Sequence, residues 1–563
     1  MMWGADPLGA LCWGEVSNPG QASALVQAWV AATGRVFLYE PTVFQRNLVS
    51  SWIETFGSLP FGTVPDETVT PALQTLRYSD VGYISKPSDS VPNTLFEGAV
   101  SSGLRMTRTT PVSPDAARRV NVEVGDFSIT NVDGALDYAV QTYAVDGRAV
   151  TVKLGLDSYG YDSFVPIFTG RIVDWSNDGT NVRITMRDQG YRLDIPLQTD
   201  LYTGAGGYNG GADLTGKPRP MTFGKVLNIT PPLINASLLI YQIHHRAVQA
   251  IDNVYDRGAT ITAGANYADY AALAAAAVSG GTYATCTALG LVRLGSAPSG
   301  LVTVDARGDA TGSYVDTTGT ITKRIMQDFG GLASTDFNTS LWDSFTSGLP
   351  GTIGWFQGTE STLISSALDA IFAHCAGWWG ANPTGLFEAG RLVAPSSDSY
   401  YLELAEADII DLQPLPPLSG TSPPRFRQRV GYQRNWTPQQ DTDLAGTVTA
   451  ARRAFLAEEY RLVSSTDTSV QQQFLLATDP APLGSLFDSS SDAQSLSDSL
   501  LALYKAKRQP VRVLVDLKGM SAKMSANVLV THRRLNSGNQ LPMLLLDATI
   551  LADGRLMELV LWG

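Results

Sequence analysis

The sequence predicts a mainly β, multidomain protein with α+β parts, β-barrel-like or sandwich-like domains and a few short helices. The chain has 563 residues, more than one hydrophobic core accommodates, which indicates about three to five domains at roughly 100–200 residues each. Its 53 glycines and 30 prolines are spread along the whole length, which favours short strands and turns over long helices. Hydrophobic residues make up 44% and charged residues 17%, so the chain has the apolar content of a folded protein.

The first two predicted regions are residues 1–95, an N-terminal peripheral region, and residues 96–232, a first β domain. In the first region, residues 22–32 predict a helix, residues 35–39 a strand and residues 86–93 a Pro/Ser-rich linker. In the second, Asp178-Gly179 predicts a hairpin turn between strands at 167–175 and 181–187. Alternating apolar residues predict two further strand faces, formed by Val120, Val122 and Val124 and by Val182, Ile184 and Met186.

The most distinctive segment is 202–232, YTGAGGYNGGADLTGKPRPMTFGKVLNITPP. Seven glycines lie between Tyr202 and Gly224, and prolines follow at positions 218 and 220. Glycine permits positive-φ turns and close backbone approach, while proline removes a donor and extends the residue before it. We therefore expect a long ordered loop without a core of its own, packed against something large such as a neighbouring subunit.

Residues 233–310 predict an insertion-like α+β domain, and residues 311–424 a mixed α/β domain. The first contains an Ala-rich helix at 266–278, and Arg307-Gly308-Asp309, an adhesion-like tripeptide, is interpreted as a turn between strands. The second contains helices at 320–329 and 362–376. The latter helix carries an apolar face of Leu363, Ile364, Ala367, Leu368, Ile371, Phe372 and Cys375.

Residues 425–563 predict a C-terminal domain that combines helices with β structure. A strand at 427–435 precedes a helix at 448–463, and a second helix spans 492–507 with Ser491 as its cap. Leu496, Leu500 and Leu503 are expected to face inward on that helix. After Pro510, alternating apolar residues at 511–517 predict a strand, and the strand at 556–563 is expected to be paired and buried.

Charge and cysteine content exclude several functional classes. The net charge of −13 argues against a surface that grips nucleic acid, although DNA as a passing cargo stays compatible with it. Cys12, Cys286 and Cys375 are far apart, which predicts neither a zinc site nor a disulfide framework. We find no leader peptide and no apolar stretch of membrane-spanning length, so we expect folding in a reducing cytoplasm.

The histidines and cysteines do not form a catalytic or metal-binding pattern. His244 and His245 are adjacent in the strand-like YQIHHRAV, so we expect them on opposite faces, unable to share a metal. His374 precedes Cys375 on a helix, where such neighbours diverge, which excludes a Cys–His dyad. His532 is interpreted as a structural strand residue.

Two further patterns are weighed against structural alternatives. Asp174, Ser176 and Asp178 resemble the start of a calcium loop, but position twelve is Thr185 where a bidentate glutamate is needed, so a turn is favoured. Trp378-Trp379, with Trp355 and Phe356 nearby, is either a sugar platform or a set of buried aromatics. A glycosidase pair of carboxylates from distant strands also stays open. The sequence therefore nominates no catalytic, cofactor-binding or metal-binding residue, and we expect neither an enzyme nor a cofactor.

The order of the distinctive segments carries a resemblance to a known class of proteins. These segments are IFTGRIVDW and VRITMRD, the glycine-rich segment 202–232, YQIHHRAVQAIDNVYDRGATIT, RVGYQRNWTPQ, and the closing LMELVLWG. In this order they resemble tail-tip (baseplate) proteins of long-tailed, siphovirus-like bacteriophages and phage-like particles, specifically the hub-type proteins that close the distal end of the tail tube. The resemblance covers residues 96–563 and leaves residues 1–95 unmatched.

The resemblance implies a structural component of a ring, commonly a trimer, located in the tail baseplate of the virion after assembly in the host cytoplasm. Its β domains (96–232 and 425–563) would continue the inner wall of the tube. Other domains would dock the distal tail ring, the tape-measure protein and the tail fibres or receptor-binding proteins. Genomic DNA would pass as cargo when the hub opens. The class has no conserved catalytic set, so no site residue carries over. Two alternatives stay open: a receptor- or glycan-binding tail protein, and a tail-associated cell-wall hydrolase.

Overall fold

The computed structural model of the chain describes residues 34–45, 72–112, 118–521, 523–553 and 555–563. The predicted helix at 22–32 and Cys12 lie outside these residues. The first twelve strands are β1 (Arg35–Gln45), β2 (Ala72–Thr75), β3 (Tyr78–Ser79), β4 (Tyr83–Ile84), β5 (Leu95–Phe96), β6 (Val100–Ser102), β7 (Arg105–Thr109), β8 (Asn121–Val124), β9 (Phe127–Thr130), β10 (Ala149–Leu156), β11 (Val165–Asn177) and β12 (Asn181–Arg187).

The strands of the central part are β13 (Met221–Ile229), β14 (Leu233–Asn235), β15 (Ile240–Gln242), β16 (Val248–Asp256), β17 (Ala259–Thr260), β18 (Thr262–Asn266), β19 (Thr282–Cys286), β20 (Leu291–Leu294), β21 (Val302–Asp309), β22 (Gly354–Gln357), β23 (Gly377–Ala381), β24 (Phe387–Arg391), β25 (Leu402–Leu404) and β26 (Ile409–Pro414). The last strands are β27 (Arg427–Tyr432), β28 (Arg461–Thr466), β29 (Leu483–Gly484), β30 (Pro510–Asp516), β31 (Asn527–Val530), β32 (Leu541–Leu551) and β33 (Leu556–Trp562).

The α-helices of the described residues are short. They are α1 (Asp137–Thr142), α2 (Tyr270–Ala275), α3 (Thr318–Asp328), α4 (Thr339–Gly348), α5 (Ile364–Ala373), α6 (Ala450–Ala457), α7 (Thr468–Gln473) and α8 (Ser490–Tyr504). Strands outnumber helices throughout this part of the chain, so the predicted mainly β fold class with a few short helices is confirmed.

Two eight-stranded sheets dominate the architecture. The N-terminal sheet has the order β2-β1-β10-β11-β12-β9-β6, with β3 also paired to β1. The C-terminal sheet has the order β25-β31-β32-β33-β30-β26, and β7 joins it through β32 and carries β8. Apolar side chains of both sheets, including Val152 and Ile184 of the first and Val513 and Leu559 of the second, form one buried cluster. Burial of each such side chain stabilises the fold by about 1.5–3 kcal/mol, so the two sheets are held as a unit.

Chain order and sheet membership do not coincide. Strand β1 lies between β2 and β10, so residues 35–45 are integral to the N-terminal sheet although they belong to the predicted peripheral region. Strand β7 pairs with β32, with Met106 opposite Ile550, so the predicted first β domain also contributes to the C-terminal sheet. The domain limits 1–95, 96–232, 233–310, 311–424 and 425–563 stay a prediction.

Several predicted elements are confirmed. β11 and β12 pair antiparallel around the turn at Asp178-Gly179, and the helix predicted at 320–329 is α3, which Thr317 caps. The helix predicted at 492–507 is α8, capped by Ser489 rather than Ser491, and its three predicted leucines are buried. The closing strand is β33, paired on both sides with β30 and β32 and buried.

Two predicted helices are shorter than expected because residues near their predicted ends belong to strands. The helix predicted at 448–463 stops at Ala457, and β28 pairs with β27 over six residues instead. The helix predicted at 266–278 is only α2, because β18 includes Asn266 and pairs with β19. The Arg293 guanidinium accounts for its other end, since it donates to the carbonyls of Leu273, Ala274 and Ala276 at 2.7, 2.8 and 2.9 Å.

The helix predicted at 362–376 is α5, three residues shorter at its C-terminal end. Leu363 precedes it and is 41% exposed, so its assignment to the apolar face is wrong. The turn predicted at Arg307-Gly308-Asp309 is also wrong, because these residues end β21. A Cβ on Gly308 would lie 2.2 Å from the carbonyl oxygen of Thr222, so only glycine allows the strand to pass this closely.

Gly224→Ala is expected to destabilise the sheet formed by β13 and β22. Gly224 has φ +61°, and an added Cβ would lie 1.9 Å from the carbonyl oxygen of Ile353. The left-handed backbone costs about 1–2 kcal/mol in any L-residue, and overpacking against backbone adds about 1–3 kcal/mol. Urea unfolding is therefore expected to show a loss of about 2–5 kcal/mol. Gly446→Ala, at a position with open space for a Cβ, is the matched control and is expected to change stability little.

Candidate functional site

The glycine-rich segment closes around one buried arginine. The Arg219 side chain is 4% exposed, and its carbon Cζ lies 4.6 Å from the ring centre of Tyr202 and 4.3 Å from that of Tyr208. Its guanidinium donates to Asp200 Oδ1 at 3.1 Å and to the Tyr208 carbonyl at 2.9 Å. It also donates to side-chain oxygens of Asn209 and Gln242, both at 3.2 Å. We call Arg219 and these five partners the Arg219 node.

The node explains why so many glycines are needed. Six of the seven glycines between Tyr202 and Gly224 have positive φ, so the chain reverses repeatedly around the guanidinium. The segment also packs against its own chain, because Tyr202 and Leu214 join a buried cluster with Ile240, Leu273 and other residues of 233–294. The segment therefore shares its apolar cluster with the part of the chain that follows it, so the prediction that it has no core of its own holds, and its packing partner is the same chain. Stacking between two aromatic rings suits arginine, whose planar cation is weakly hydrated.

The two adjacent histidines are not on a strand, and the prediction that they face opposite sides is wrong. β15 ends at Gln242, and the rings of His244 and His245 lie 5.0 Å apart, edge to face. His244 Nδ1 accepts a hydrogen bond from the Thr222 amide at 3.0 Å, so its Nε2 carries the proton and faces Asp309 at 3.3 Å. No group of three His, Cys, Asp or Glu residues in the described ranges is placed to hold a metal ion.

Electrostatics around His244 keep the ring neutral and its acidic partner charged. Burial lowers the pKa of His244, and the hydrogen bond to Asp309 opposes that shift. Burial alone would raise the pKa of Asp309, but hydrogen bonds from His244 and Thr311 and the charge of Arg324 bring the pKa of this carboxyl below its ordinary value. The Arg324 guanidinium lies 2.6 Å from Asp309. One buried polar network therefore connects β21, α3 and the turn that contains His244.

A polar cleft of about 320 Å³ opens beside this network. Its wall includes His245, Arg246, Asp328 and Asp200. Burial lowers the pKa of His245 to about 3, so the ring is neutral, and its Nε2 has no hydrogen-bond partner among the described residues. Arg246 and Asp328 pair with each other at 3.1 Å, which leaves the cleft close to charge balance.

Two segments with the pattern Asn-x-Thr-Pro meet in the interior. They are 228–231, which follows the glycine-rich segment, and 435–438 in RNWTP. Asn228 Nδ2 donates to Asn435 Oδ1 and to the Thr437 carbonyl, both at 2.7 Å. The hydroxyl oxygens of Thr230 and Thr437 lie 2.9 Å apart, and the Trp436 amide donates to the Leu227 carbonyl at 3.2 Å. Asn228 and Asn435 are fully buried, so this joint connects two distant parts of the sequence inside the protein.

The remaining sequence candidates have structural environments. Cys375 is buried, its thiol faces the Phe372 carbonyl, and burial raises its pKa to about 11, which makes the thiolate nucleophile scarce. His374 contacts Thr318 Oγ1 at 2.8 Å rather than Cys375, as predicted. His532 follows β31 in a turn rather than on a strand, and its Nδ1 accepts from the Arg534 amide at 3.1 Å. Asp178 accepts hydrogen bonds from the amides of Thr180 and Asn181, as a turn residue does.

The tryptophans do not form a surface platform. Trp378 and Trp379 are 3% and 0% exposed, and Trp355 is 4% exposed. Trp379 Nε1 donates to Asp369 at 2.8 Å, which is a typical arrangement for a buried indole. The sugar-platform interpretation is therefore wrong, and the alternative of buried aromatics is confirmed for these three residues.

Sequence reasoning missed both interior joints. It assigned no role to Arg219, Asn228 or Asn435. The repeated Asn-x-Thr-Pro pattern was a usable signal for the second joint, because two copies of one rare pattern suggest equivalent backbone positions. No local pattern marks the Arg219 node, since its partners span residues 200–242.

Acid is expected to destabilise the protein through His374. Burial lowers the pKa of this ring to about 3, against an ordinary value of about 6.5 in the unfolded chain. Between these values the unfolded state binds the extra proton, so stability falls as pH falls from about 6.5 towards 3. The slope is about 1.4 kcal/mol per pH unit, or about 2 kcal/mol at pH 5.

Urea unfolding of the wild type and of His374→Gln between pH 7.5 and 4.5 measures this effect. Glutamine keeps a polar group near Thr318 but does not titrate. The slopes of the free energy of unfolding against pH are therefore expected to differ between the two proteins by an amount that corresponds to about one bound proton. Identical slopes for the two proteins would contradict the assignment to His374.

Solved structures similar to this chain are tail and virion proteins. A 43 kDa tail protein of prophage MuSo2 from Shewanella oneidensis has 11% identity and a TM-score of 0.29, covering 83% of this chain and 94% of that one. The tail protein from Neisseria meningitidis MC58 has 11% identity and a TM-score of 0.32, covering 83% and 95%. A chain of the native gene transfer agent virion has 12% identity and a TM-score of 0.37, covering 66% and 91%. No protein-family model and no curated protein matches the chain.

These solved structures are tail and virion proteins, the class that the sequence segments also resemble. Across the ranges that the structure describes, no helix is long and apolar enough to cross a membrane.

Proposed function

We propose that the chain is a structural subunit of a phage tail baseplate, of the hub type that closes the distal end of the tail tube. In this proposal copies of the chain form a ring, most simply a trimer, whose β sheets continue the tube. The ring docks the distal tail ring, the tape-measure protein and the fibres, and it opens so that DNA passes as cargo. The proposal assigns the chain no reaction and no cofactor.

The observation that carries the proposal is the pair of eight-stranded sheets on one shared core. Within the described residues, the outer strands β2 and β6 of the first sheet and β25 and β26 of the second pair on one side only. A strand with an unpaired edge is a template for pairing with another chain. Ile410 on β26 is 60% exposed, which gives that edge an apolar side chain as well. Such an architecture supports growth into a closed ring through neighbouring copies.

The interior joints support a mechanical role. The Arg219 node fixes the glycine-rich segment, and the Asn228–Asn435 contact ties β13 to the residues that follow β27. Each joint centres on buried polar side chains with several hydrogen bonds, Arg219 in the first and Asn228 with Asn435 in the second, and such groups specify one arrangement of the backbone. A scaffold that must hold its shape under load benefits from such joints, whereas a catalytic site needs polar groups that are free to act on a substrate.

The two alternatives receive no specific support. Glycan binding depended on the tryptophan platform, and those side chains are buried. A cell-wall hydrolase would require turnover of peptidoglycan that disappears when one Asp or Glu is changed, and that result would contradict the proposal.

The assembly state of the purified chain tests the proposal. Mass photometry with negative-stain imaging is expected to show a ring with a central opening on the order of 20 Å or more, wide enough for a B-form duplex. Added tail tubes are expected to recruit the ring at one end. A compact monomer that neither assembles on tubes nor occurs in purified particles would overturn the proposal.

Substitutions on the outer strands test which sheet edge forms the subunit contact. Ile410→Lys places a charge on the outer strand β26 and is expected to abolish the ring while leaving the monomer folded. Leu462→Lys is the matched control, because Leu462 is 53% exposed on β28, the outer strand of a different sheet. A ring that survives Ile410→Lys would exclude the β26 edge as the subunit contact. Loss of the ring in both variants would contradict the assignment of the subunit contact to β26 specifically.

A further inference from the structure

A cavity of about 220 Å³ lies between α4, the β23–β24 hairpin and residues 523–526. Phe345, Trp378 and Tyr401 give it an aromatic wall. Trp378 Nε1 donates to Ser525 Oγ at 2.9 Å, and both Trp378 and Phe345 are buried, so this wall is preformed. Cavities of about 150 Å³ already hold a benzene ring, so this one has room for a single side chain and a small polar group.

The cavity also carries positive charge. Arg391, the last residue of β24, lines it and is half-buried. The Arg391 side chain makes no hydrogen bond, ion pair or ring contact with the described residues, and burial lowers its pKa from the ordinary value. Lys523 lies on the same wall, with its Nζ 4.5 Å from the ring centre of Tyr401.

None of the residues that the structure describes supplies a carboxylate for Arg391. Glu388 is the acidic residue on the cavity wall, and its carboxylate is already engaged. It accepts from Arg108 at 3.2 Å, from Asn338 at 3.2 Å and from Asn382 at 2.9 Å. In a chain of net charge −13, a partly desolvated arginine without an acidic partner is unusual, because desolvating an unpaired charge is costly. The cavity therefore combines apolar walls with an unmatched cation.

We propose that this cavity binds the carboxyl-terminal residue of a partner polypeptide, with its apolar side chain against Phe345 and Trp378 and its carboxylate on Arg391. A terminal residue carries both groups on one Cα atom, so both enter a cavity of this size. An internal Asp or Glu would need a neighbouring residue for the apolar contact, with backbone continuing in two directions. Arginine pairs with a carboxylate through two parallel N–H donors, and such charge-assisted bonds are about twice as strong as neutral ones.

The charge of the cavity selects a polypeptide over a free amino acid. The α-ammonium group of a free amino acid would lie close to Arg391 and Lys523, and like charges at short range repel. In a polypeptide the same nitrogen is a neutral amide. Capture of a terminal carboxylate is also an established mode of peptide recognition.

Fluorescence anisotropy with the full chain and a fluorescein-labelled Gly-Ser-Gly-Leu-Phe peptide tests the proposal. The peptide with a free carboxylate is expected to bind at least about tenfold more tightly than the same peptide with a terminal amide, since one lost charge-assisted bond is worth about a factor of ten or more. Arg391→Gln is expected to remove this preference. Arg183→Gln is the matched control, because Arg183 is 65% exposed on β12 in the other sheet, and it is expected to retain the preference.

Equal binding of acid and amide by the wild type, or binding of neither, would overturn the proposal without any variant. A preference for the acid that persists in Arg391→Gln, with the variant shown to be folded by circular dichroism, would also overturn it. Competition by free phenylalanine as strong as by the acid peptide would contradict the selection of a polypeptide. Competition of that strength by 3-phenylpropionate would reassign the cavity to small apolar acids.

Discussion

Replacing Arg219 with methionine is expected to lower the free energy of unfolding of the surrounding structure by about 1.5–3 kcal/mol, the range for losing hydrogen bonds to a charged group, since the Asp200 carboxylate is 51% exposed and stays solvated. Methionine fills similar volume but leaves Asn209 Oδ1 and the Tyr208 carbonyl without the donor that Arg219 supplies, while Gln242 Oε1 keeps only the Tyr202 hydroxyl. Two tyrosine rings also lose the cation between them. Because the turns at 203–216 contribute only Leu214 and the partly buried Tyr208 to the apolar cluster, we expect this segment to become mobile before the rest of the fold unfolds.

Limited proteolysis and hydrogen exchange of residues 203–216 measure this effect, together with urea unfolding. Arg219→Lys is the informative second variant, since lysine keeps the charge but lacks the planar fork, and it is expected to recover less than half of the loss. Arg183→Met is the matched control at an exposed arginine and is expected to change stability by less than about 0.5 kcal/mol. Unchanged protection of 203–216 in Arg219→Met would show that the glycines and prolines alone hold the loop.

The sequence was sufficient for elements whose signals are local. The Asp178-Gly179 hairpin, the strand after Pro510 and the helix with Leu496, Leu500 and Leu503 each follow from a period or a turn residue. The predictions of secondary structure were wrong where residues pair with a strand that is distant in the sequence. Residues 461–466 have the composition of a helix end, but β27 offers six residues of backbone pairing, which outweighs a helical propensity of a few tenths of a kcal/mol per residue.

The candidate site was less accessible from the sequence than the fold. Arg307-Gly308-Asp309 looks like a turn by composition, and only the close approach of Thr222 explains a glycine inside β21. The same limit applies to Arg391, which sits at the end of an ordinary strand. Its significance comes from the absence of an acidic partner among the described residues around it, and no sequence pattern reports which side chains meet in space.

Glu388→Leu is expected to lower the free energy of unfolding by about 3–5 kcal/mol, which is the other large effect expected for the described structure. Arg108 and Glu388 are 2% and 3% exposed, with 3.2 Å between guanidinium nitrogen and carboxylate oxygen. They join β7 of the C-terminal sheet to β24 of the hairpin. Leucine would remove the ion-pair partner at 3.2 Å from the buried Arg108 guanidinium, and the amides of Asn338 and Asn382 would lose their acceptor.

The double variant Arg108→Leu, Glu388→Leu separates the pair from its surroundings. Because burying two charges costs nearly as much as their attraction returns, we expect the double variant to be more stable than Glu388→Leu alone, by about 2 kcal/mol or more. Glu388→Gln keeps an acceptor for the two asparagines and removes only the charge, so its expected loss lies between that of Glu388→Leu and zero. Urea unfolding of the wild type, of Arg108→Leu and Glu388→Leu singly and of the double variant gives the coupling energy between the two side chains, and hydrogen exchange at residues 387–391 follows the hairpin. A coupling energy near zero would mean that the hairpin is held by its apolar contacts, and that Glu388 is an acceptor for Asn338 and Asn382 rather than the counter-ion of Arg108.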